Sequence, residues 1–168
     1  DEEGNLIQTG PATFTLTKDG QTTTLTTGTS GMVTFSNLGK GVYTLTETIA
    51  PTGFVKDPTV YTVTVSWVNG AVNVTVTKPG DPDPVVVPSN PLKITNQTEK
   101  FDLPVTKHWE DNDDALELRP TEITVDLYRG TETAPFRTIQ IFATDNWMGT
   151  FTNLPRYDAN GVLYEYRI

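Results

Sequence analysis

Residues 61–76 can do little except fold as a β-hairpin. Tyr61-Thr-Val-Thr-Val-Ser-Trp67 alternates large apolar with small polar side chains, the period-two pattern of a half-buried strand. Asn69-Gly70 follows, a dipeptide suited to the two positive-φ positions of a type I′ turn, and Ala71-Val-Asn-Val-Thr-Val76 runs back. Similar short strands are predicted at 12–18, 22–26, 32–35, 42–47 and 92–96, punctuated by Gly, Asp, Asn and Pro. Thr fills most outward positions, which suits a solvated pleated face. Lys78-Pro-Gly-Asp-Pro-Asp-Pro84 reads as a loop or short linker. The fold class is therefore all-β, a sandwich or barrel.

A second strand set is predicted at 103–109, 122–128, 137–142, 150–151 and 162–168. The two halves share a repeat: Gly31-Met-Val-Thr-Phe-Ser-Asn-Leu38 is similar to Met148-Gly-Thr-Phe-Thr-Asn-Leu154. Two modules are expected, residues 1–98 and residues 99–168, a sensible division of 168 residues.

Charge and cysteine content narrow the function. A net charge of −9 disfavours nucleic acid as a partner, because no basic stripe could neutralise phosphates. No apolar run is long enough for a membrane span. Cysteine is absent, which removes disulfides, thiolate metal sites and thiol nucleophiles together. No cofactor or metal is expected: Asp111-Asn-Asp-Asp114 lacks the glycine and closing glutamate of a calcium loop, and His108 stands alone.

Strand parity singles out three polar residues. Glu47 falls on the face of Tyr43 and Leu45, Asn96 on that of Leu92 and Ile94, and Lys107 between Val105 and Trp109. Burying such groups unpaired costs several kcal/mol. One reading is that parity lapses at strand ends, where side chains reach water. The other is a spontaneous isopeptide bond. Burial favours neutral forms, so an amine in a core can attack a carboxamide while a neighbouring carboxylic acid polarises the amide oxygen and shuttles protons. The reaction occurs once per molecule, so the chain is not expected to be an enzyme. The bond would serve a cysteine-free module as a disulfide serves others.

These residues carry a resemblance. Gly31-x-Val-x-Phe-x-x-Leu38 with Tyr43-Thr-Leu-Thr-Glu-Thr-Ile-Ala-Pro-Thr-Gly-Phe54 resembles the glutamate segment of CnaB-type domains of Gram-positive pilins and adhesins. Pro104-Val-Thr-Lys-His-Trp-Glu-Asp111, Arg119-Pro120 and Ile123-Thr-Val-Asp-Leu-Tyr128 resemble the opening of another such domain, and Asn153-Leu-Pro-Arg-Tyr-Asp-Ala-Asn-Gly161 the approach to its glutamate strand. The resemblance implies tandem β-sandwich modules of reversed-immunoglobulin, prealbumin-like topology. It also implies a structural stalk role in a secreted, cell-wall-attached pilin or adhesin whose anchor lies outside this chain. Glu47 would be the glutamate that promotes the bond, Asn96 the acceptor and Lys107 a first-strand lysine.

The implied partners are neighbouring modules of the same surface protein or pilus. An alternative is an adhesin module whose loops bind host extracellular matrix protein or glycan. Neither module holds a complete Lys, Glu and Asn set: the first lacks its lysine, since Lys18 stands at a turn, and the second its glutamate and asparagine. A stretch of a longer array is the favoured account, a proteolytic remnant or a strand supplied by another molecule the alternatives.

Overall fold

The computed structural model describes all residues except 1–3, 5, 8, 88–90, 113 and 159. The chain forms two compact units, Asp1–Thr98 with Ala159–Gly161, and Glu99–Asp158 with Val162–Ile168. Each is all-β.

In the first unit, β1 (Thr13–Lys18), β2 (Gln21–Thr26), β3 (Gly41–Ile49), β5 (Tyr61–Val68), β6 (Ala71–Thr77) and β7 (Val85–Val87) form one antiparallel sheet, ordered β2-β1-β3-β5-β6-β7. Two tight turns set its register. Asn69 and Gly70 have φ of 51° and 80°, and Asp19 and Gly20 have 49° and 76°, the left-handed pairs that join twisted strands without splaying them. The inward side chains Leu16, Tyr61, Val63 and Val76 build the core. On the outward face the threonines fall into ranks across the sheet, as in Thr22–Thr17–Thr44–Thr62–Thr77. Hydroxyls pair within the ranks, Thr15 with Thr24 at 2.9 Å and Thr13 with Thr26 at 3.1 Å.

Two predicted strands are not strands. Residues 32–35 and 92–96 have no ladder partner, yet Phe35, Leu38, Leu92 and Ile94 pack against the core. They alternate like strands because one side faces the sheet; alternation reports burial, not pairing. Conversely, β7 lies just past the proline loop, and a two-stranded ribbon of β4 (Phe54–Val55) and β8 (Gln97–Thr98) forms where no alternation is long enough to read.

In the second unit, β11 (Arg137–Phe142), β10 (Glu122–Arg129) and β13 (Tyr166–Arg167) form one sheet, and β12 (Met148–Pro155) with β9 (Lys100–Thr106) another. Leu127, Ile141, Phe151 and Leu154 of both sheets share one core, the packing of a sandwich. The strand predicted at 103–109 stops at Thr106. That predicted at 162–168 is reduced to β13 and an isolated bridge between Tyr157 and Leu163. The repeat has a conformational counterpart: Asn37 and Asn153 both adopt left-handed φ, 59° and 54°, and the following leucine packs into its core in each unit.

Candidate functional site

Glu47 and Asn96 are the only buried polar or charged side-chain residues among those described, at 3% and 4% exposure. Glu47 lies on β3 opposite Phe14 of β1. The register shifts just beyond, so that Thr13 faces Ile49 and Thr48 is the extra residue of a bulge. Asn96 immediately precedes β8, and the pairing of Val55 with Gln97 draws it to the β4 backbone. Its Nδ2 donates to Glu47 Oε2 at 2.6 Å and to the Val55 carbonyl at 3.1 Å. The Asp57 backbone N–H donates to the same Oε2 at 2.7 Å.

Glu47 thus meets the nitrogen of the Asn96 amide, which donates both to the carboxyl oxygen and to the Val55 carbonyl. Glu47 Oε1 is buried and has no partner among the described residues, although an unmatched buried acceptor is destabilising by about 1–3 kcal/mol. A cavity of about 120 Å³ adjoins Asn96, walled by Leu6, Ile7, Ala12, Phe14 and Ile94, with room for several water-sized groups.

Asp57 is held in turn. Its Oδ1 accepts the Thr59 N–H at 3.0 Å and its Oδ2 the Tyr61 hydroxyl at 2.7 Å. Burial works to raise the Asp57 pKa, but the hydrogen bonds from Thr59 and Tyr61 outweigh it, and the group lies below its ordinary 3.8. Burial first, and then the Asp57 carboxylate, push Tyr61 up to about 12 from 10. The signs follow by linkage. Asp57 contributes stability above its ordinary value and loses it as pH falls through the depressed one. Tyr61 contributes below pH 10 and loses its contribution between 10 and about 12. The first unit should therefore weaken above pH 10, and Tyr61→Phe should remove part of that alkaline decline. Hydrogen exchange on β3 and β5 across pH measures it; an identical decline in the variant would contradict the assignment.

Family models match most of the chain: residues 8–79 fit the prealbumin-like fold domain SpaA, and residues 103–168 the Cna protein B-type domain. The chain belongs to the CnaB-type, prealbumin-like domains. Such domains occur in Gram-positive surface proteins. A search of curated proteins gives no significant match. Among solved structures, the chain is similar to two B repeat units of the collagen-binding protein of Staphylococcus aureus, at 22% identity and a TM-score of 0.41 over 94% of this chain. A single B repeat unit of that protein matches at 21% identity and 0.37, over 99% of this chain and 75% of the other. The chain spans 38% of the length of the first of these structures.

The second CnaB-type unit places Lys107 otherwise than parity predicts. Lys107 follows the end of β9 and is exposed, its backbone N–H bonded to the Trp147 carbonyl at 2.9 Å. Its amine rests 4.7 Å from the centre of the Trp109 ring, a cation–π contact. Parity fails because the strand ends one residue earlier. Lys107 nevertheless lines an open cleft of about 440 Å³ with Val105, Ile123, Val125 and Ile141. Lys18 donates to the Lys40 carbonyl at 2.7 Å and lies over the Tyr43 ring. In the acidic turn, Arg119 binds Asp111 and holds its carboxyl down to about 2.

Sequence reasoning overlooked Asp57 and Tyr61. The available signals were Asp57-Pro58, a turn-initiating pair, and the inward parity of Tyr61, whose hydroxyl needs a partner once buried.

Proposed function

We propose that this chain is a structural stalk segment of an extracellular Gram-positive pilin or adhesin, stabilised by Lys–Asn isopeptide bonds. The buried contact between Glu47 and Asn96 carries the reading. A lysine amine contributed from outside the described residues would enter beside Asn96 and add to Cγ. Glu47 takes a proton from the adding amine and gives it to the departing nitrogen as the Cγ–Nδ2 bond breaks, and ammonia leaves. Each molecule reacts once, so the role of Glu47 is catalytic although the protein turns nothing over. In the second unit, Lys107 would leave Trp109 and enter the cleft it already lines, to meet an asparagine supplied from outside this chain.

Peptide mapping of the full-length protein tests both sites. The expected result is a mass deficit of about 17 Da, that of ammonia, for each bond. Branched peptides should contain Asn96 and Lys107. Recovery of Asn96 in a linear peptide would refute the first site, and recovery of Lys107 with a free amine the second.

A further inference from the structure

Glu47 can act on the Asn96 amide only while its carboxyl is held in one orientation. Two donors fix Oε2, the Asn96 amide at 2.6 Å and the Asp57 N–H at 2.7 Å. The second is a backbone group, so its aim depends on the loop between β4 and β5. That loop is tied by the side chain of the same residue, which holds the Thr59 N–H and the Tyr61 hydroxyl. Between Asp57 and Thr59 stands Pro58, which biases Asp57 towards extended backbone and brings no competing N–H. The Tyr61 ring is buried at 5% exposure and pairs with Leu45, two residues before Glu47 on β3. The loop is thus anchored to the strand that carries the glutamate.

We infer that Asp57 and Tyr61 are positioning residues for Glu47: their hydrogen bond sets the Asp57 N–H against Oε2 and leaves Oε1 directed at the incoming amine. This rests on the isopeptide reading of the site. A turn serving only the fold would satisfy the Asp57 carboxylate equally well, but would not require its N–H to reach a buried carboxyl on another strand. The clasp closes the gap between the two: one residue accepts hydrogen bonds with its side chain and donates one with its backbone.

The test is the rate of bond formation in the full-length protein, synthesised cell-free, quenched in denaturant at intervals and read by mass. Tyr61→Phe and Asp57→Ala should each slow cross-linking by about tenfold or more, the scale of an orientation error at a reacting group. Asp57→Asn, which keeps an acceptor on the side chain, should restore most of the parent rate. Equal rates in the parent and both disruptive variants would overturn the inference while leaving the isopeptide reading intact. So would an Asp57→Asn rate as low as that of Asp57→Ala. If Asp57→Ala does not fold, Tyr61→Phe decides, because it removes one oxygen and keeps the core ring. A parent that never loses ammonia would refute the underlying reading, and the inference with it.

Discussion

Glu47→Ala is expected to abolish ammonia loss at Asn96 and to lower the melting point of the first unit by tens of degrees. Two losses add. The Asn96 amide and the Asp57 N–H each lose a buried acceptor, at about 1–3 kcal/mol apiece. The missing cross-link would also free a loop on the order of 100 residues, worth about 4–5 kcal/mol if it behaves as a disulfide does. At roughly 4–8 °C per kcal/mol for a domain of this size, the fall should be unmistakable in calorimetry. Asn96→Ala separates the contributions, since it removes the bond but leaves the Asp57 contact to Glu47 in place. An unchanged mass deficit in Glu47→Ala would remove Glu47 from the chemistry.

Phe151→Ala should have the largest effect in the second unit. Phe151 is 1% exposed and joins the β12–β9 sheet to Leu127 and Ile141 of the other. Truncating a buried aromatic ring costs about 3–5 kcal/mol, a large share of the 5–15 kcal/mol that holds a typical domain together. Trp109 and Trp147, in edge contact at 5.0 Å, offer a local fluorescence reporter, whereas Trp67 of the first unit is largely exposed. The expected result is an early denaturant transition in the fluorescence of the second unit. An unfolding free energy within a few tenths of a kcal/mol of the parent would show that the sandwich core can collapse around the deletion.

Much of the candidate site was legible in strand parity because β3 is regular as far as Glu47, the bulge falling just beyond it at Thr48. Tyr43, Leu45 and Glu47 share a face in sequence and in space, and Glu47 is buried as that pattern requires. Asn96 is buried for a different reason. It follows Leu92 and Ile94 along an extended segment that covers the core without ladder partners, so the inward face was readable while the strand was not real. At Lys107 parity breaks down. Val105 is its guide, but β9 ends at Thr106, and beyond a strand end nothing local obliges the alternation to continue.

The sequence by itself determined what short-range chemistry controls. That comprises the all-β class, the Asn69-Gly70 hairpin, the threonine face, and the presence of a carboxyl and a carboxamide on apolar faces. Hairpin turns and period-two burial are local properties of adjacent residues. Only the tertiary structure decided that Glu47 and Asn96 touch across 49 residues, that the Asp57 N–H donates to the same carboxyl oxygen, and that Tyr61 binds the Asp57 side chain. The observed hydrogen bonds depend on which strands become neighbours and where each one stops. Both are settled by long-range packing of the core, to which no single stretch of sequence has access.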